Sequence, residues 1–259
     1  MTVKPPSGQI RIFITGASGA LGSALALRLA QPGVSLSMWG RDRTRLDEVA
    51  ALCRERGAQA EIRSLDLSDC AAALAALQDE DDAEPLDLAF LVAGQGDTLP
   101  AGSIVEDPAQ VARLAQTNFA APAAMAAALA ARMAGRGEGR IGVVGTAAAS
   151  HSLPFAAAYS GSKAGLSRYV DALRLAVRGH GVTVTLVSPG FFAGAVQPGA
   201  VPSRPGEISA DEVAEKMIAA VRAGRAELVV PRRFLLLRWF DRLLPRPLRD
   251  RLLLSLKAP

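Results

Sequence analysis

The sequence has little that would staple the chain, span a bilayer or leave it disordered. Its two cysteines, Cys53 and Cys70, stand alone in helical-looking stretches, too few and too scattered for a disulfide framework or a thiolate zinc site. Aromatic residues make up 5% of the 259, which, with abundant alanine, favours close-packed helices over an aromatic-rich β-sandwich. No apolar run reaches the roughly 18–20 residues that a membrane-spanning helix needs. The opening M-T-V-K-P-P-S-G has no apolar signal core, and no polar low-complexity tract points to disorder. A cytoplasmic, reducing setting is therefore expected. What is present is a half-hydrophobic chain (50%) of a length suited to one large α/β domain.

The net charge of +4 is unevenly placed. Residues 231–259 carry eight basic and two acidic side chains, a net +6, which leaves −2 for the rest. A slightly acidic body argues against nucleic acid as a partner. The basic excess belongs to the tail.

Short β-rich runs alternate with longer helical ones. Strands are expected over 10–14, 34–39, 60–65, 88–92, 140–145, 182–187 and 227–230, and helices over 21–30, 43–56, 70–78, 108–133, 156–178 and 210–223. Ser68 reads as a cap for the 70–78 helix, and Ser209 with Glu212 as a capping box for the last. This alternation implies a single doubly wound α/β domain of the Rossmann type with a parallel sheet, over residues 8–230, followed by an amphipathic helical tail over 231–259.

The first strand runs into T-G-A-S-G-A-L-G, with Gly16, Gly19 and Gly22 spaced G-x-x-G-x-x-G and Ser18 and Leu21 among them. Glycines here permit a tight turn and let backbone amides approach a pyrophosphate at a helix N-terminus. At the end of the second strand, where an acid would bind an adenosine ribose, stands Gly40, with Arg41 next to it. A guanidinium suits a 2′-phosphate, so NADP is expected; Asp42 leaves NAD as an alternative, and a solvated helix start is the plainer reading of the charges. Tyr159 and Lys163, in Y-S-G-S-K, share a helix face. A nearby ammonium favours a phenolate, bringing a tyrosine closer to use as an acid or base.

Taken together, these markers resemble the short-chain dehydrogenase/reductase family over roughly residues 8–230. T-G-A-S-G-A-L-G looks like its cofactor turn, and Asp66 and Leu67 in L-D-L-S-D resemble its adenine contact. Ala93 and Gly94 match the end of its fourth-strand motif, Asn118 its helix asparagine, and Pro189 and Gly190 in S-P-G the turn beside the nicotinamide. The resemblance implies reduction of a ketone or oxidation of a secondary alcohol, with Tyr159 exchanging the proton, Lys163 lowering its pKa, and Asn118 anchoring a relay water. The family's substrate serine is here Thr146. Leu91 and Val92 replace two asparagines, and Gly194 a threonine. Non-catalytic dinucleotide binding, or epimerase or dehydratase chemistry on a nucleotide sugar, are the alternatives.

Among the remaining residues, His151 reads as a solvated loop residue, His180 as part of a helix-ending turn, and the acidic run 79–84 as a solvated helix end rather than metal ligands. Leu153, Phe155, Phe191 and Phe192 suggest apolar walls for a hydrophobic ketone, with 197–206 as a lid. The helices at 108–133 and 156–178 resemble the pair through which family members dimerise, so a homo-oligomer is expected. In the tail, arginines beside Trp239, Phe240 and leucines suit a helix lying on a membrane surface; packing on the body is the alternative.

Overall fold

The structure, a computed structural model, describes residues 8–96, 98–100, 102–190, 208–235 and 243–255. In chain order its regular elements are β1 (Ile10–Thr15), α1 (Ala20–Leu29), β2 (Val34–Gly40), α2 (Arg43–Glu55), β3 (Gln59–Ser64), α3 (Cys70–Ala83) and β4 (Leu88–Leu91). There follow α4 (Pro108–Ala115), a π turn (Gln116–Ala120), α5 (Ala121–Arg136), β5 (Gly139–Val144), α6 (Ala157–Ala176), β6 (Val182–Pro189), α7 (Ala210–Arg222), β7 (Glu227–Val230) and α8 (Arg246–Ser255). The strands form one parallel sheet in the order β3-β2-β1-β4-β5-β6-β7.

Alternate residues of one strand feed opposite cores, as the period of two requires. From β1, Ile12 and Ile14 join α1, α2 and α7 through Leu25, Leu46 and Val213, while Phe13 joins α3, α5 and α6 through Leu77, Leu129 and Leu166. The doubly wound single domain is therefore what the alternation implied. The chain reverses its direction of travel across the sheet between β1 and β4, and the crevice outside their carboxyl ends is where such folds bind ligands.

Some local expectations need correction. The helix expected over 108–133 is interrupted at the π turn. Pro122 has no N–H to give the carbonyl four residues back, that of Asn118, and the ladder widens so that the N–H of Ala121 reaches the Gln116 carbonyl. The α3 cap is Asp69, which accepts from Ala72 N at 3.0 Å, and Ser68 instead donates its N–H to Asp66. The run 79–84 is a solvated helix end only in part: Asp79 and Asp82 are exposed, but Glu80 and Asp81 turn inward. Asp81 is 2% exposed and takes both Arg132 and Arg136 from α5, while Glu80 accepts from the Trp39 indole. Burying an acid requires this pairing, which is why Asp81 faces inward toward two arginines. Among the described residues no group of side chains is arranged to hold a metal.

Ser209 caps α7 as expected, accepting from Glu212 N at 3.0 Å, but the Glu212 carboxylate turns to Lys216 rather than closing a capping box. In the tail, α8 starts at Arg246 with Pro247 in its first turn, where a missing N–H costs nothing. Most of the tail's first expected helix, including Trp239 and Phe240, lies outside the described residues, as do Phe191, Phe192, Gly194 and the segment 197–206. No helix of the described residues is long and apolar enough to cross a membrane.

Candidate active site

The turn after β1 is shaped by two close approaches. Gly16 adopts φ +71°, and a Cβ there would lie 2.9 Å from both Cα and N of Ala93. A side chain at Gly22, in the first turn of α1, would overlap the Gly16 carbonyl. Thr15 Oγ1 accepts the N–H groups of Val92 at 3.0 Å and Ala93 at 3.2 Å, so a hydroxyl of β1 ties down the β4 end that lacks the family's asparagines. Gly19 caps α1 without a side-chain hydrogen bond, which leaves the first N–H groups of the helix for an anion. Leu21 and Leu67 point into the core, so any ligand contact from them is through the main chain.

At the carboxyl end of β2, a Cβ at Gly40 would meet Ser18 Oγ at 2.7 Å, so no acid fits there without displacing Ser18. Asp42 is engaged elsewhere: its carboxylate caps α2 through Arg45 N at 3.1 Å and pairs with the Arg45 guanidinium at 3.4 Å. Arg41 reaches across to Gln95, whose amide oxygen, turned toward the guanidinium, accepts from its two terminal nitrogens at 2.6 and 2.8 Å. Asp66 accepts Ser68 N at 2.9 Å, and this bond, with the charge of Arg41, holds its carboxyl below the usual range.

At the other end, five of the expected residues converge. A Cβ at Gly94 would lie 3.1 Å from Lys163 Nζ and 3.2 Å from Asn118 Oδ1. Lys163, 3% exposed, donates Nζ–H to the Val144 carbonyl at 2.9 Å, and burial pushes its pKa down to about 8. The Thr146 side chain is the polar neighbour of the Tyr159 hydroxyl. Burial raises the Tyr159 pKa, the Thr146 side chain lowering it only in part. The depression expected from Lys163 is thus not what this arrangement gives, because desolvation dominates. The Asn118 side chain is fully engaged with Gln95, accepting its N–H and donating to its carbonyl, each at 2.8 Å. Pro189 ends β6, and Gly190 donates its N–H to Val230 O at 2.7 Å, with the Phe234 ring seated on its α-carbon.

Sequence reasoning missed Thr15, Gln95 and Phe234. Only their neighbours carried a signal: Thr15 begins T-G-A-S-G, and Gln95 follows Ala93 and Gly94. Loop 95–107 and the Thr146 loop are tied together by Leu99 N to Phe155 O at 2.8 Å. A separate groove of about 550 Å³ lies away from these groups, lined by Glu106, Val111, Phe119 and the outer face of α6.

The donor set fits a dinucleotide. Glycines whose missing side chains leave a cradle, an uncapped helix start and a guanidinium occupy one end, and a hydroxyl pair beside a buried lysine the other. The family model described as short chain dehydrogenase matches residues 11–203. An uncharacterized oxidoreductase of Myxococcus xanthus is 32% identical over 239 residues, covering 92% of this chain and 94% of that one. Among solved structures, the bulky-bulky ketone specific alcohol dehydrogenase of Comamonas testosteroni superposes with a TM-score of 0.77 at 23% identity, covering 97% of this chain and 96% of that one. A short-chain dehydrogenase from Sphingobium yanoikuyae, in complex with NADPH, gives 0.76 at 23% identity, covering 96% and 97%.

Proposed function

Because the chain belongs to the short-chain dehydrogenase family, a family of NAD(P)-dependent oxidoreductases, we propose that it reduces a hydrophobic ketone to a secondary alcohol with NADPH. The observation that carries this reading is the Tyr159–Thr146 hydroxyl pair set beside buried Lys163. A bound nicotinamide supplies the hydride in the reducing direction. Thr146 donates a hydrogen bond to the carbonyl oxygen, keeping its own proton, and so stabilises the charge that grows there. Tyr159 gives its proton to that oxygen as it becomes an alkoxide. Lys163, charged below about pH 8, replenishes the proton. With its side chain occupied by Gln95, Asn118 offers its carbonyl, which Pro122 cannot engage, to the relay water.

NADP rather than NAD is favoured by three features: Arg41 is present, Ser18 blocks a side chain at Gly40, and Asp42 serves as a helix cap. A hydrophobic substrate is supported by partly buried Leu153, Phe155 and Phe234 near the site, and a bulky ketone by the one named for the Comamonas enzyme. Following NADPH absorbance with a panel of bulky ketones tests the reading. No turnover with any of them, despite NADPH binding, would favour the non-catalytic alternative. Thr146→Ser should keep activity and Thr146→Val lose most of it; a fully active valine variant would remove the hydroxyl from the mechanism.

Two further parts of the reading concern partners. Exposed Val111 and Phe119 flank the groove on α4 and α6 and support a homo-oligomer through this face, which sedimentation would test. In α8 only Leu253 is buried, while Leu248, Leu252 and Leu254 are 55%, 55% and 74% exposed among arginines. That face supports contact with an anionic lipid surface, each basic residue adding about 1 kcal/mol. Vesicle flotation of the whole chain against one ending at Pro231 tests it. Equal partitioning would return the tail to a packing role.

A further inference from the structure

Resting on the reading of Arg41 as the residue that meets a 2′-phosphate, we infer that Gln95 is a positioning residue for dinucleotide selectivity, orienting the Arg41 guanidinium from a backbone that Asn118 clamps. Arg41 follows β2 and Gln95 follows β4, and β1 lies between them in the sheet. The bond between the two side chains therefore crosses the carboxyl end of β1, beside the glycine turn.

Its geometry leaves the working edge of the arginine open. The Gln95 oxygen sits between the two terminal nitrogens, at 2.6 and 2.8 Å. The edge formed by Nε and one terminal nitrogen is left to fork a phosphate. Gln95 is neutral, so it fixes direction without cancelling the charge that an anion seeks. An exposed arginine otherwise loses its rotamer freedom when it grips a ligand, and that loss weakens binding. Gln95 removes part of the loss beforehand.

The hold is worth having only if Gln95 is itself fixed. The Asn118 amide clamps both the N–H and the carbonyl of Gln95, each at 2.8 Å. Asn118 is buried, 0% exposed, in the π turn, and lies against the same Gly94 that touches Lys163. One asparagine thus joins the end of the site that chooses the dinucleotide to the end that moves the proton.

Direct fluorescence titration of the full chain with NADPH and with NADH tests this without relying on turnover. Gln95→Met, which keeps length and removes the acceptor, should weaken NADPH roughly tenfold and leave NADH unchanged. Arg41→Ala should weaken NADPH at least as much, and the double variant should be no worse than Arg41→Ala alone, since Gln95 acts through Arg41. Gln95→Glu, which keeps the hold but sets a negative charge beside the phosphate, should also disfavour NADPH selectively. Selective loss in Arg41→Ala with an unchanged ratio in Gln95→Met would overturn the role of Gln95 alone. Equal loss of both dinucleotides would make Gln95 merely structural, and tighter NADPH binding would show a competing latch; each overturns the inference. No selective loss in Arg41→Ala would overturn the 2′-phosphate reading, and this inference with it.

Discussion

The two ends of the crevice are built on opposite principles. Around Thr146, Tyr159 and Lys163, side chains carry the proposed chemistry, and burial has moved the proton affinities of Tyr159 and Lys163 away from their values in water. Around Gly16 and Gly22 the side chains have been removed so that backbone can approach, and the charged group, Arg41, stays exposed. Desolvation brings the Lys163 pKa toward neutrality and raises that of Tyr159, so burial is what marks this end. An anion-holding site needs geometry and undiminished charge. The difference predicts which substitutions harm turnover, which harm binding, and which harm neither.

The largest effect is expected where a single hydroxyl carries the reaction. Tyr159→Phe should lower turnover by about 10²–10⁴-fold with dinucleotide affinity preserved. Steady-state rates alongside a binding titration would show it, and a phenylalanine variant of ordinary rate would remove the proposed acid. At the other end, Gly22→Ala should do the reverse. Its added methyl overlaps the Gly16 carbonyl, so the turn must move, and dinucleotide affinity and melting temperature should fall together. Destabilisation of roughly 1–3 kcal/mol is the expected scale. Ordinary affinity in that variant would mean the turn tolerates displacement.

A smaller effect follows from Lys163. Its folded pKa is about 8 against an ordinary 10.5, so the folded protein disfavours the charged form. Between about pH 8 and 10.5 the unfolded chain binds more protons, and this group's contribution to stability therefore rises with pH. Below pH 8 its full penalty, on the order of 3 kcal/mol, is present. Relative to Lys163→Met, the parent should gain unfolding free energy on moving from pH 7 to pH 10. A difference independent of pH would mean the ammonium is not desolvated. Smallest of all, Asp42→Ala should cost about 1 kcal/mol as a lost helix cap and leave the preference between dinucleotides untouched. A shift in that preference would show that Asp42 meets the ligand.

The same division explains what could be read from the sequence. Strand–helix alternation sets the sheet, and Tyr159 and Lys163 at a four-residue spacing stand out because helix geometry makes neighbours of them. The glycines are legible as absences. Less legible were features that depend on contacts between distant segments. Asp81 looks like a surface acid until α5 brings Arg132 and Arg136 to it. Gln95 has no local pattern, and its role arises only when β2 and β4 end on either side of β1. The break in the 108–133 helix did carry a signal, Pro122, whose missing N–H forces the wider turn. The expected effect of Lys163 on Tyr159 is a different case: spacing puts the two on one helix face but says nothing of burial, which sets the direction of the Tyr159 pKa.

Gly190 and Phe234 meet so closely that a side chain at 190 would overlap the ring. In evolutionary terms the two positions share one volume. A descendant of this sequence can enlarge residue 190 only after residue 234 has shrunk, and an intermediate with both large loses the seat of the tail on the turn. Drift at these sites is therefore ordered in time. The segment after β7, which looks free to diverge, is bound to keep pace with the turn beneath it.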